Sequence, residues 1–307
     1  MSLRTPVVLE CGSNSLKAHY RAVTNGIFQK TSFTWRLGHE VYSTGRLSEE
    51  TLRAAMGAVQ SLLERGFERR YLLAIATGAL RDAENPSDLL AELRDRIGLE
   101  VRVISGREEA SLLAHGYLKV HKELPALLAD IGGGSLEVVN LTAEKTVLRD
   151  SLPLGAIRIH YLGHTDGKPW NRSFVEEWVS NCFQEASLVR AEEVHGTGGT
   201  VKAISKVLGK RSFTDADLSA FLEKIEKEGP PPELKPARRE VIVPGIIVLR
   251  GLLAHAKASV LHYTNVSIGR IFLERLLERL GASMEGKRKE ILLRDMRITN
   301  IYPQRDE

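Results

Sequence analysis

A chain of 307 residues, 43% of them hydrophobic, is long enough for about two domains with sizeable cores. Its 43 Lys and Arg against 39 Asp and Glu leave a dispersed net charge of +4, which gives no nucleic-acid footprint. No apolar run reaches the roughly 18 residues of a membrane span, and the first ten residues lack a secretory pattern. The two cysteines, Cys11 and Cys182, form neither a zinc site nor a disulfide framework. The expectation is a globular cytoplasmic protein that binds neither nucleic acid nor membrane.

Pro6 to Glu10 reads as a buried strand closed by Gly12. Leu47 to Gly66 reads as a helix capped by Ser48, with Leu52, Met56, Val59 and Leu63 on one face. Tyr71 to Ala76 is the next strand. Pro86, Ser87 and Asp88 then open a helix that runs through Ile97 and stops at Gly98. Val101 to Ile104 is strand-like, Glu108 to Lys119 helical, and Leu124 to Ala129 a strand followed by a glycine turn and a second run, Glu137 to Leu141. Ser173 and Glu176 make a capping box. Gly196 to Thr200 is a turn ahead of a helix from Val201 to Leu208. Gly229 to Pro236 is an extended connector, and Val241 to Ala258 an apolar helix. The alternation predicts an α/β fold with largely parallel sheets.

One internal echo stands out. Residues 10–15 read Glu-Cys-Gly-Ser-Asn-Ser and residues 130–135 read Asp-Ile-Gly-Gly-Gly-Ser, each after an apolar strand, their acids 120 residues apart. A repeat at that distance suggests two similar halves. Glycines after a strand leave backbone N–H groups open to an anion, and the neighbouring acid can hold Mg²⁺ or another divalent cation. The turn Gly196 to Thr200 adds a helix N-terminus that favours phosphate. These turns predict a cleft between two α/β halves that binds phosphate with a metal.

The segments ECGSNSLK at 10–17, ATGALRDAEN at 76–85, VISGREEASL at 103–112, ADIGGGSLEVV at 129–139, SLPLGAIR at 151–158, GTGGT at 196–200 and VIVPG at 241–245 stand in one order. In them the chain resembles the exopolyphosphatase / guanosine pentaphosphate phosphohydrolase (Ppx/GppA) family of the sugar kinase–heat-shock chaperone–actin superfamily. The resemblance implies two actin-like (ribonuclease H-like) domains with an interdomain active-site cleft. The expected division is 1–117 and 118–307, with a final helix Gly286 to Arg297, within 286–307, as a candidate to pack back on the first domain.

The resemblance also implies roles. Glu108 would orient and deprotonate the attacking water, its alternative being a solvated first-turn acid. Asp130, Glu10 and Glu137 would serve the metal, Glu137 otherwise being an outward strand residue. Gly12, Ser13, Asn14, Ser15, Arg81, Gly132, Gly133, Gly134, Ser135, Gly198, Gly199 and Thr200 would bind phosphate, with Arg81 otherwise in a surface ion pair. Lys17, Lys202 and Lys206 either line a phosphate channel or are solvated. His195 and Cys11 read as packing residues, and Trp35, Trp170 and Trp178 as core or interface. Three positions depart from the family: Glu10 where Asp is usual, Gly78 where Ser is usual, and Ser267 to Ile271 where Gly-Leu-Arg-Glu-Gly is frequent. The expected activity is release of terminal phosphate from inorganic polyphosphate. Guanosine pentaphosphate is the alternative substrate, and a low-activity sensor of polyphosphate or the alarmone the alternative function. Family members are often dimers, so a homodimer is a further option.

Overall fold

The computed structural model describes residues 5–22, 25–121, 124–143, 147–164, 169–186 and 188–282. The chain divides into two compact units: one takes the chain up to Glu108 and again from Ile268, the other is Glu109 to Ser267.

In the first unit, strand β1 (Val7–Cys11) runs into β2 (Ser15–Arg21) and β3 (Phe28–Thr34) as an antiparallel meander. Helices α1 (Leu37–Thr44) and α2 (Glu49–Glu64) lead to β4 (Leu72–Ala76), which pairs parallel to β1. Short α3 (Ala79–Asp82) and α4 (Pro86–Glu92) lead to β5 (Val101–Val103), parallel to β4, and the sheet order is β3-β2-β1-β4-β5. Helix α5 (Gly106–Val120) crosses the division between the units.

The second unit repeats this order. Strands β6 (Ala126–Ile131), β7 (Leu136–Leu141) and β8 (Val147–Leu152) form the meander, and β9 (Glu193–Thr197) and β11 (Val260–Tyr263) extend it in parallel beyond β6. A short β10 (Ser212–Phe213) adds an antiparallel edge. Its helices are α6 (Ala156–Leu162), α7 (Arg172–Glu185), α8 (Gly198–Leu208), α9 (Asp215–Glu228), α10 (Pro236–Arg239) and α11 (Ile242–Ala256). The shared strand order, with a meander on one side and parallel strands on the other, is the actin-like, ribonuclease H-like arrangement. β1 and β6 read as nearly continuous apolar runs because both faces of each central sheet are covered. Val7, Leu9 and Cys11 enter one core with Leu16, Trp35 and Leu37. Leu127, Ala129 and Ile131 enter the other with Val201, Ile204 and Ile246.

Helix α12 (Ile268–Ala282) belongs with the first unit, where it packs on β1 and β2 through Ile271, Phe272, Leu273 and Leu276. The chain thus returns to the first unit at Ile268 because these apolar side chains cover the open face of its sheet, and the compact units part at 108/109, within the same helix as the expected 117/118. The expected helix Gly286 to Arg297 lies outside the described residues. Asn171, not Ser173, caps α7, its Oδ1 accepting the Phe174 amide at 3.1 Å; Ser173 lies two residues further on, already inside the helix, and Glu176 pairs with Arg172 instead. The buried face of α2 is Ala55, Val59 and Leu62, rotated from the face expected, while Ser48 does cap it. Among the described residues no helix is long and apolar enough to cross a membrane.

The duplication extends beyond the two acids. Gly38, in Trp-Arg-Leu-Gly, presses on the first hairpin turn: a Cβ there would lie 2.7 Å from Ser13 Cβ. Gly155, in Leu-Pro-Leu-Gly, presses on the second, where a Cβ would lie 2.3 Å from the Gly134 backbone. Thr77-Gly78 and Thr197-Gly198 follow the fourth strand of each sheet, again 120 residues apart, with φ of +40° at Gly78 and +95° at Gly198. Only glycine takes such values freely, so the serine usual in the family at position 78 would be strained in this backbone.

Gly155→Ala is expected to lower the unfolding free energy by about 3 kcal/mol or more, since the added methyl meets backbone that cannot step aside. Gly57→Ala, in the middle of α2 with open space around it, is expected to raise it by about 0.5–1 kcal/mol. Urea denaturation of the two variants measures both, and a Gly155→Ala protein as stable as the parent refutes the close approach.

Candidate phosphate site

Each hairpin turn is held by the glycine that presses on it. In the first unit the Gly12 amide donates to Ser15 O at 3.1 Å, closing the turn. The Ser13 carbonyl accepts the Gly38 amide at 2.7 Å, and Asn14 O accepts the amides of Trp35 and Arg36 at 3.3 Å. Trp35 Nε1 donates to Gly12 O at 2.7 Å, so one core tryptophan also supports the loop. Ser13 Oγ accepts the Ala79 amide at 3.1 Å, which ties the loop to the turn after β4. Asn14 Oδ1 is buried without a hydrogen-bond partner.

The second turn repeats the pattern. Gly132 N donates to Ser135 O at 3.0 Å. The first turn of α6 then caps the loop: Ala156 N donates to Gly132 O, Ile157 N and Arg158 N donate to Gly133 O, and Arg158 Nε donates to Gly134 O at 2.8 Å. Three carbonyls are thereby turned toward α6. Among the described residues the Gly133 and Gly134 amides bond to no backbone carbonyl, which suits an anion.

Cross-strand partners separate the two acids. Asp130 lies opposite Glu137 in the β6–β7 ladder, so two carboxylates share one face of the sheet. Glu137 is 1% exposed and accepts Ser151 Oγ at 2.8 Å; it is buried, not an outward strand residue. Glu10 lies opposite Lys17, with which it forms an ion pair. Burial opposes ionisation of Glu10, but Lys17 and His19 outweigh it and hold the carboxyl far below the usual range. Cys11, beside it, is buried, and burial together with Glu10 pushes its thiol well up, leaving it a packing residue.

The third turn is helix rather than loop. α8 starts at Gly198, so Gly198, Gly199 and Thr200 form its first turn. A Cβ on Gly198 would lie 2.6 Å from Asp130 Oδ1 and 2.4 Å from Ile131 O, so only glycine lets the start of α8 approach the end of β6 this closely. Arg238, which the sequence motifs do not single out, reaches the same turn. Its Nη1 donates to Thr200 Oγ1 at 3.1 Å, and a Cβ on Gly199 would lie 2.3 Å from Nη2. Burial pulls the Arg238 guanidinium below the usual arginine range. Its neighbour Arg239 instead donates to the carbonyls of Pro232 and Leu234. The signal was present: Arg238 stands three residues before the VIVPG motif, between it and the Gly229 to Pro236 connector, in residues given no reading.

Glu108 has a structural task. Its Oε2 accepts the Ser105 amide at 2.7 Å, Ser105 Oγ accepts the Glu108 amide at 3.2 Å, and Arg102 Nη2 donates to Oε1 at 2.7 Å. This is the reciprocal cap of α5 with an added ion pair. The adjacent Glu109 is the buried acid, 8% exposed. Arg81 is half-buried in the first unit, donating to Ile104 O at 3.2 Å. His195 packs among aromatic rings, 5.0 Å from Tyr117 and 5.6 Å from His262. Trp178 is 39% exposed, and Trp170 stacks on Gly163.

These loops, strand-end acids and strand orders agree with a family model. A model of the Ppx/GppA phosphatase family matches residues 19–269. The chain belongs to this family. Exopolyphosphatase 1 of Mycobacterium tuberculosis is 28% identical over 221 residues, covering 66% of this chain and 63% of the relative. Exopolyphosphatase 1 of Mycobacterium leprae is 26% identical over 220 residues, covering 66% and 64%. The match thus spans less than two thirds of these relatives' length. An exopolyphosphatase structure from Cytophaga hutchinsonii shares the fold with a TM-score of 0.74, at 18% identity over 90% of this chain and 98% of that one. The Aquifex aeolicus Ppx-GppA enzyme does so with 0.66, at 20% identity over 88% and 98%.

For this Ppx/GppA family member, Glu108→Ala is expected to cost about 1–2 kcal/mol of stability by uncapping α5 and freeing Arg102, and Glu108→Gln less, since an amide oxygen still accepts from Ser105. Chemical denaturation of the two variants checks the order.

Proposed function

We propose that the chain is a phosphoanhydride hydrolase that releases terminal phosphate from inorganic polyphosphate. The observation that carries this reading is the Gly132–Ser135 loop, whose carbonyls are drawn into α6 while two of its amides stay open beside an acid pair. Membership of the Ppx/GppA family, with exopolyphosphatases among the relatives, supports the substrate class.

Each chain residue then has a task. The amides of Gly133 and Gly134 bind phosphate oxygens, as does the first turn of α8 at Gly198, Gly199 and Thr200. Arg238 adds a fixed positive charge at that turn. In the first unit Gly12, Ser13, Asn14 and Ser15, with Arg81, take the corresponding part for phosphate. Glu109, not Glu108, orients the attacking water and accepts its proton. Both Glu108 oxygens serve α5 and Arg102, whereas Glu109 is withdrawn from bulk solvent, where a carboxylate is a better base.

Among the described residues no three His, Cys, Asp or Glu side chains converge on a metal. The facing carboxylates of Asp130 and Glu137 are oxygen donors of the kind a hard cation takes, its shell completed by water and phosphate oxygens. Such a cation, Mg²⁺ by preference, would neutralise charge on the phosphate being released.

Phosphate release from long-chain polyphosphate with Mg²⁺ tests the assignment. Glu109→Gln is expected to lower kcat by about 10²–10⁴, and Glu108→Gln by less than about tenfold. Arg238→Ala is expected to raise KM by roughly tenfold, the worth of one lost charge-assisted contact. Equal release by Glu109→Gln and the parent removes Glu109 as the base. Guanosine pentaphosphate carries the same terminal anhydride; a parent that cleaves it but leaves polyphosphate intact transfers the reading to that substrate.

A further inference from the structure

At the duplicated strand end the two units carry opposite solutions to one electrostatic problem. Asp130 faces a second acid, Glu137, and such a pair repels itself unless a cation or a proton joins it. Glu10 faces Lys17, so there the cation is part of the chain. Both Glu10 oxygens are engaged. Oε1 accepts from Lys17 Nζ, and Oε2 accepts from His19 Nε2 at 2.9 Å and from the Gly269 amide at 3.3 Å. The partners are an ammonium, an imidazole N–H and a backbone N–H, all donors and none of them a metal ligand. The Glu10 side chain is 12% exposed and that of His19 4%, which leaves little room for the waters Mg²⁺ retains.

The same cluster seats a helix. Gly269 lies in the first turn of α12, and a Cβ there would meet His19 Cδ2 at 2.3 Å and Glu10 Oε2 at 2.7 Å. The glycine lets the backbone approach, and the carboxylate then satisfies an amide that the helix itself cannot. Apolar residues one turn on, Ile271, Phe272 and Leu273, are buried against the sheet.

We propose that Glu10 is not a divalent-metal ligand but the anchor of α12 on the first sheet, with Lys17 as its permanent counter-ion, so that divalent-cation binding rests on Asp130 and Glu137. The family expectation for this acid therefore does not carry over to this chain. The longer side chain is the local reason: the extra methylene of Glu over Asp lets one carboxylate reach a strand neighbour and a helix amide together.

Two measurements on the full chain that do not depend on hydrolysis test this. Mn²⁺ binding is followed by the electron paramagnetic resonance of the free ion, and amide exchange of Ile268 to Leu276 by mass spectrometry. Glu10→Gln is expected to bind Mn²⁺ within about twofold of the parent while exchange in α12 rises tenfold or more. Gly269→Ala, whose methyl pushes the helix off Glu10 while the carboxylate keeps its charge, is expected to give the same pair of results. Asp130→Asn is expected to weaken Mn²⁺ binding at least tenfold with α12 protection unchanged. The proposal is overturned if Glu10→Gln weakens Mn²⁺ binding tenfold or leaves α12 as protected as in the parent. It is also overturned if Asp130→Asn binds Mn²⁺ like the parent.

Discussion

A glycine pressed edge-on against a hairpin turn organises each half of this molecule. Gly155 approaches the Gly133–Gly134 backbone more closely than any Cβ permits, and the amides that follow it capture the loop carbonyls. A peptide plane has two polar edges, so drawing the C=O toward α6 turns the N–H the other way. The orientation of the loop amides is thus imposed from behind, by the segment that follows β8. Gly38 does the same to the first turn, with Trp35 adding an indole N–H to Gly12 O.

Duplication of a backbone scaffold leaves the side chains free to diverge, and they have done so at the positions that decide charge. Across the ladder from each strand-end acid stands Lys17 in one unit and Glu137 in the other. The difference places an ammonium of the chain beside Glu10 where Asp130 faces a second carboxylate. The ion pair is half-buried and reinforced by His19 and the Gly269 amide, so desolvation is offset by several partners rather than one.

Neighbouring residues on a helix face different surroundings, and this separates Glu108 from Glu109. One rotation of about 100° moves the side chain from the cap of α5, beside Arg102, to the buried side. The pair Arg238 and Arg239 shows the same division: one guanidinium is spent on carbonyls of the connector and the other is held against the first turn of α8.

Much of this was legible in the sequence. The α/β alternation, the Ser48 cap, the strand-end acids and the 120-residue repeat follow from local chemistry, because glycine turns and apolar runs carry their meaning wherever they lie. The motif order was enough to indicate the family, which the family match bears out. Choosing between Glu108 and Glu109, or seeing Arg238, required knowing which groups lie nearby in space though distant in the chain. The pairing of Glu10 within the chain was likewise decided across a strand and by a helix 259 residues away, the amide of Gly269 meeting Glu10. Sequence determined the turns and the kinds of group they offer; tertiary structure alone decided which of those groups were already spoken for, since electrostatic partners are set by distance through space and not by distance along the chain.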